Sequence, residues 1–143
     1  MSQKVILEAE DPNIWADEVR LALGGTVVGR VVTTDGSATT LLSLALLPSR
    51  TTLLRVQVIA RRTGGSGGTA QDGAAYLLAA AYKMVAGTPT LIGSIGSLFS
   101  AEDQAGWNAT LDVSGGNVRV RVTGAANNNV SWNGKVHIES IEQ

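Results

Sequence analysis

From Thr26 to the C-terminus, apolar and polar residues alternate with a period of two, segment after segment, and each segment closes on turn-forming residues. Only a β-strand sends successive side chains to opposite faces, so this period predicts half-buried strands. Leu54, Val56, Val58 and Ala60 alternate with Arg55, Gln57, Ile59 and Arg61. Trp107, Ala109, Leu111 and Val113 alternate with Asn108, Thr110 and Asp112. Val118, Val120 and Val122 alternate with Asn117, Arg119, Arg121 and Thr123, and Val130, Trp132, Val136 and Ile138 with Ser131, Asn133, Lys135, His137 and Glu139. Asp35-Gly36, Pro48-Ser49, Ser114-Gly115-Gly116 and Gly124 to Asn129 punctuate them as turns or loops. Thr26 to Thr34, Thr39 to Leu47 and Pro89 to Phe99 complete a count of seven or eight strands. Strands with one polar face each and frequent turns define an all-β antiparallel sandwich, of jelly-roll or immunoglobulin-like topology.

Two segments resist this reading. Gly73 to Ala86 is rich in Ala, Leu, Met and Lys, and propensity alone favours a helix there. Yet Tyr76, Leu78, Ala80, Tyr82 and Met84 also share one face of a strand. The first 25 residues differ again. Asp11-Pro12 has the chemistry of a helix start, Trp15, Val19, Ala22 and Leu23 recur at helical spacing, and Gly24-Gly25 supplies a stop. The expectation is a short helix or an extended arm over residues 1–25, followed by a sandwich domain over residues 26–143.

Composition narrows the function. The 143 residues include no cysteine, which removes disulfides, thiolate zinc sites and a cysteine nucleophile. A formal net charge of −1 does not suggest the basic face of a nucleic-acid binder. No apolar run approaches the roughly 18 residues that span a bilayer, and Met1 to Glu10 lacks the pattern of a signal peptide. Glycines number 17 and charged residues make up only 16%, against about 25% in ordinary domains. That balance suits tight turns and a surface partly covered by neighbours.

Signals for catalysis are weak. Gly64-Gly65-Ser66-Gly67-Gly68 matches G-x-S-x-G, with Asp72 or Asp103 and His137 following in the order of a hydrolase triad. A nucleophile elbow needs a rigid strand-to-helix turn, whereas this run reads as a flexible loop after a strand that ends in Arg61-Arg62. His137 has no cysteine partners for a metal, and Glu102-Asp103 are adjacent and point to opposite sides of an extended segment. No enzyme, cofactor or metal site is expected. Trp107 and Trp132 share parity with their strands' apolar residues and are assigned to the core.

Ala60-Arg61-Arg62-Thr63-Gly64-Gly65, Asp72-Gly73-Ala74-Ala75-Tyr76, Glu102-Asp103-Gln104-Ala105-Gly106-Trp107, Val120-Arg121-Val122-Thr123-Gly124 and Asn129-Val130-Ser131-Trp132 occur in this order. Together, over roughly Thr34 to Ile141, they resemble a β-sandwich module of tailed-phage virion proteins, found in tail-fibre ends and capsid-associated proteins. The resemblance implies that Gly73 to Ala86 is a strand, that no catalytic residues are to be carried over, and that the role is assembly or attachment. A short arm before the module resembles a head decoration (cement) protein. That form would bind the major capsid protein, associate with itself as a trimer, contact neither nucleic acid nor membrane, and reside on the capsid after synthesis in the bacterial cytoplasm. The alternative is a receptor- or glycan-binding tip of a tail fibre, with the Gly64–Gly68 and Asn127–Asn129 loops in contact. Candidate partner contacts are Trp15, Val19 and Leu23 on the arm, and Arg61, Arg62, Asn127, Asn128 and Asn129 on the module.

Overall fold

The computed structural model describes residues 19–22 and 24–142; residues 1–18, 23 and 143 lie outside the described residues. Among the described residues nine strands follow one another: β1 (Val19–Ala22), β2 (Gly25–Thr33), β3 (Ala38–Leu46), β4 (Arg50–Gly64), β5 (Gly73–Val85), β6 (Thr88–Glu102), β7 (Asn108–Ser114), β8 (Asn117–Thr123) and β9 (Asn129–Glu142). They form a four-stranded sheet ordered β1-β3-β8-β7 and a five-stranded sheet ordered β2-β9-β4-β5-β6. Every pairing is antiparallel except β1 with β3, which is parallel. The all-β sandwich expected from the periodicity is the fold observed.

The alternation sorts side chains as the sequence predicts. In β4 the even positions from Thr52 to Ala60 are buried and the odd ones exposed. Leu54, Val56 and Val58 meet Val118, Val120 and Val122 of the opposite sheet within one continuous core. Full burial of each such side chain contributes about 1.5–3 kcal/mol relative to exposure. Ser114↔Asn117 closes a two-residue hairpin in which Gly115 and Gly116 have φ of 58° and 92°. Such left-handed pairs match the twist of the flanking strands. The Asp35-Gly36 turn does a different job. β2 and β3 lie in different sheets, so the turn carries the chain across the sandwich, with Asp35 Oδ1 accepting the Ser37 amide at 2.9 Å.

The ambiguous segment Gly73 to Ala86 is a strand, as the family resemblance implies and against helix propensity. β5 pairs with β4 from Arg61↔Gly73 to Thr51↔Lys83. Tyr76, Leu78, Ala80 and Tyr82 enter the core. Two flanking strands satisfy its backbone and core burial rewards its even positions, which outweighs a propensity difference of a few tenths of a kcal/mol per residue.

Val19–Ala22 are extended, on the edge of the four-stranded sheet. These residues are β1, registered from Val19↔Ser43 to Ala22↔Leu46. The proposed helix start at Asp11-Pro12, together with Trp15 and Leu23, lies outside the described residues.

One packing device was not foreseen. The β3–β8 register slips between Thr40 and Leu42, so Leu41 and Leu42 both turn inward and are fully buried. The opposite sheet makes room for them with a registered pair of glycines, Gly29 and Gly134. A methyl group added to Gly29 would sit 2.6 Å from Leu42 Cδ2, and one on Gly134 2.5 Å from Leu41 Cδ2. The bulge in one sheet fills the gap in the other.

Candidate functional site

The β4–β5, β6–β7 and β8–β9 loops emerge at the same end of the sandwich, because Gly64↔Asn129, Ala74↔Glu102 and Asn108↔Thr123 are the last registered pairs there. Arg62, near the end of β4, ties two of these loops together. Its Nε donates to Gly67 O and to Asn128 Oδ1, each at 2.9 Å, and its Nη2 donates to Gly65 O at 2.6 Å. The Gly67 amide donates to Asn127 O at 2.8 Å. The third loop joins through Asp72, whose Oδ2 accepts from the Thr69 amide at 2.9 Å and from Gln104 Nε2 at 2.7 Å. Asp103 Oδ2 then accepts the Gly73 amide at 2.8 Å. Hydrogen bonds to charged groups are the strong ones, so this is a fused platform.

The glycine run is therefore not the flexible loop that its composition suggests. Gly65 and Gly68 have φ of 104° and 72°, and a Cβ on either would collide with Asn127 O or with the Asn128 side chain. These glycines let two loops touch backbone to backbone. Beneath the platform, Trp107 and Trp132 are buried with ring centroids 5.9 Å apart and planes tilted by 58°. Trp132 Nε1 donates to Thr33 Oγ1 at 2.9 Å, while Trp107 Nε1 has no partner among the described residues.

The candidate contacts fall into three groups. Arg61 is exposed on the outer face of the five-stranded sheet, and Asn127 is exposed at the platform rim with φ of 63°. Arg62 and Asn128 are spent inside the fold; Asn128 is only 2% exposed, so its side chain does not reach a partner. Asn129 opens β9, half-buried, with its carbonyl accepting from Thr63 Oγ1 at 3.2 Å. On the arm, Val19 lies in β1.

The residues of the hydrolase-like pattern are scattered. His137 pairs with Arg55 in mid-sheet, whereas Ser66 lies beyond Gly64↔Asn129. At about 3.3 Å per strand residue the two stand roughly 25–30 Å apart. Among the described residues no group of three His, Cys, Asp or Glu side chains could hold a metal.

Ionisable groups elsewhere have structural causes. Tyr76 donates to Glu102 Oε1 at 3.0 Å, and burial, that hydrogen bond and the Glu102 charge together push its phenol well above the usual range. Burial and the charge of Asp112 raise Tyr82. Arg119 grips Asp112 through Nε at 2.8 Å and Nη2 at 2.7 Å, a two-pronged bond that lowers the carboxyl despite partial burial.

A second surface was missed in the sequence. β6 is one of the two edge strands of the five-stranded sheet, with β2 the other, and is unpaired on its outer side among the described residues; Ile92, Leu98 and Phe99 on it are 43%, 63% and 54% exposed. Its neighbour β5 presents Ala75, Leu77, Ala79 and Ala81 outward, only half-buried. The signal was present: β5 is apolar at odd and even positions alike, the pattern of a strand covered on both faces. The helix formers Ala, Leu, Met and Lys that fill both faces are what made the segment look helical.

The described residues thus form an all-β sandwich with a hydrogen-bonded loop end and an apolar edge strand. No family model matches the chain, and no curated protein matches it. Among solved structures, the tailspike protein of Acinetobacter baumannii phage AM24 is similar with a TM-score of 0.50 at 10% sequence identity, covering 79% of this chain and 25% of that one. The tailspike protein of Acinetobacter phage vB_ApiP_P1 is similar with a TM-score of 0.42 at 13% identity, over 80% of this chain and 22% of that one; at that score the likeness carries no argument. The chain thus spans a quarter or less of the length of these proteins.

Proposed function

We propose that this chain is a structural module of a tailed-phage virion, located in the tail, whose fused loop platform faces the host receptor and whose apolar β6 edge packs against other tail subunits. The observation that carries the reading is the fold shared over 79% of the chain with part of a phage tailspike. The platform supports it physically. Receptor contact favours loops ordered before binding, since ordering them afterwards costs affinity. The two loops expected to touch a receptor, Gly64–Gly68 and Asn127–Asn129, are the ones that Arg62 joins.

The apolar edge serves the assembly half of the proposal. A long, unpaired, apolar edge strand invites strand pairing and is normally covered. Self-association, as a trimer in this proposal, would bury Leu98 and Phe99. Decoration of the capsid would draw on the same surface, and copy number separates the two: a tail module is present in few copies per particle, a cement protein in roughly one per capsid subunit. Adsorption tests the receptor half. The purified module should slow adsorption of its phage to host cells, and an Asn127→Arg variant should lose that effect while staying folded. A module that never competes, at any concentration, would end the receptor reading.

A further inference from the structure

The outer face of the five-stranded sheet segregates charge. Register places Arg30 diagonal to Lys135, and Lys135 diagonal to Arg55, across β2, β9 and β4. Diagonal neighbours of this kind lie about 7–8 Å apart, so the three cations form an evenly spaced stripe. Arg61 adds a fourth on the same face of β4. None of these four side chains takes part in an ion pair among the described residues; the pairs present use Arg50, Arg119 and Arg121. The nearest carboxylates in register are Glu139, diagonal to Arg55 at the end of the stripe, and Asp103, two strands from Arg61. Among the described residues, a protein with a net charge of −1 thus gathers positive charge on one face.

The same face carries a depression of about 320 Å³, lined by Arg30 and Arg61 on two sides, Ser131 and Asn133 between them, and Ile59. That volume is on the scale of small-ligand sites. Guanidinium groups match carboxylates through two parallel hydrogen bonds. Exposed aliphatic side chains adjoin the cations: Val28 and Val32 flank Arg30 on β2, and Ile59 lies between Arg55 and Arg61 on β4. They offer apolar ground to the C–H faces of sugar rings.

We propose that this face binds a carboxylate-bearing polysaccharide, with one acidic sugar seated between Arg30 and Arg61 and the chain running along the stripe to Lys135 and Arg55. Sequence-tolerant binding of single-stranded nucleic acid needs a row of aromatic side chains to stack successive bases, and among the described residues β2, β9 and β4 present no Phe, Tyr or Trp outward, only the single imidazole of His137; Trp132 points into the core. The site adjoins the loop platform, since Arg61 precedes Arg62 and Ser131 follows Asn129 by two residues. As an account of the receptor it rests on the tail reading; as a binding site it is tested on purified protein, so either can fail without the other.

The test is titration of the purified chain with polygalacturonate, with neutral dextran and with oligothymidylate of matched charge, at low and at high salt. Polygalacturonate should bind and dextran should not. Arg30→Gln and Arg61→Gln should each weaken binding by about tenfold or more, the loss expected for a charge-assisted hydrogen bond. Lys83→Gln, which removes the same charge from β5, should change it little. Arg30→Lys, retaining the charge without the fork, should fall between Arg30→Gln and the parent. Absence of binding to polygalacturonate, equal losses in Lys83→Gln and Arg30→Gln, or tighter binding of oligothymidylate would each overturn the proposal.

Discussion

Arg62 Nε and Asn128 Oδ1 meet at 2.9 Å across two loops separated by 66 residues, and the same Nε also reaches Gly67 O. The bond converts a glycine run into a fixed surface. Asn128→Ala leaves the guanidinium short of an acceptor in a partly buried site, which costs about 1–3 kcal/mol. The expected result is that loss in denaturant unfolding, with faster amide exchange at Gly67. Asn127→Gly, at a left-handed position whose side chain makes no hydrogen bond among the described residues, should leave stability nearly unchanged.

The glycine pair facing the Leu41–Leu42 bulge makes a second prediction. Gly134→Ala drives a methyl into Leu41 and should destabilise the sandwich by about 1–3 kcal/mol, the usual cost of overpacking. Combining it with Leu41→Val should restore part of the loss. A double-mutant cycle on thermal or denaturant unfolding reads the coupling. Strict additivity would mean the two side chains do not share the space.

The free edge separates stability from association. Phe99 and Leu77 are registered neighbours on the outer face, and Phe99 is 54% exposed. Phe99→Ser should leave unfolding within about 0.5 kcal/mol, as surface changes do. It should also shift sedimentation velocity toward the monomer. A parent protein that is monomeric at every concentration would remove self-association from the account.

Stability should fall in alkali and in acid for different reasons. Tyr76 and Tyr82 have phenols raised above their ordinary value of 10.0. Their contribution is complete below that value and is lost as pH rises toward the folded value, because the unfolded chain ionises first. Tyr76→Phe should flatten the alkaline limb. Asp112 is lowered, chiefly by the Arg119 hydrogen bond. Its contribution is present above the unfolded carboxylate value of about 3.9 and fades as pH falls through the folded one. The carboxylate is 41% exposed, so the acid effect is small. Asp112→Asn should flatten that limb, checked by unfolding midpoints across pH.

Period-two patterning was legible wherever one face is buried and the other wet. β4, β7, β8 and β9 sit where Leu54–Arg61, Trp107–Val113, Val118–Thr123 and Val130–Glu139 placed them. β5 was ambiguous because its Ala, Leu, Met and Lys favour a helix by propensity while Tyr76, Leu78, Ala80, Tyr82 and Met84 share one face of a strand. The inward turn of both Leu41 and Leu42 depends on a bulge, and a bulge leaves no mark in a run of leucines. Platform rigidity was hidden because composition does not distinguish a glycine that moves from one that admits a neighbouring backbone. Arg62 and Asn128 looked like surface polar residues, and only the fold shows them bonded to each other. The cationic stripe was invisible too: Arg30, Arg55 and Lys135 are far apart in sequence and adjacent only through register.

The most direct test of the tail assignment is to locate the chain on the particle. Antibodies against the purified module, coupled to gold and applied to intact phage, should label the tail under the electron microscope and leave the head bare. Label spread evenly over the head would contradict the tail assignment and return the module to the capsid surface.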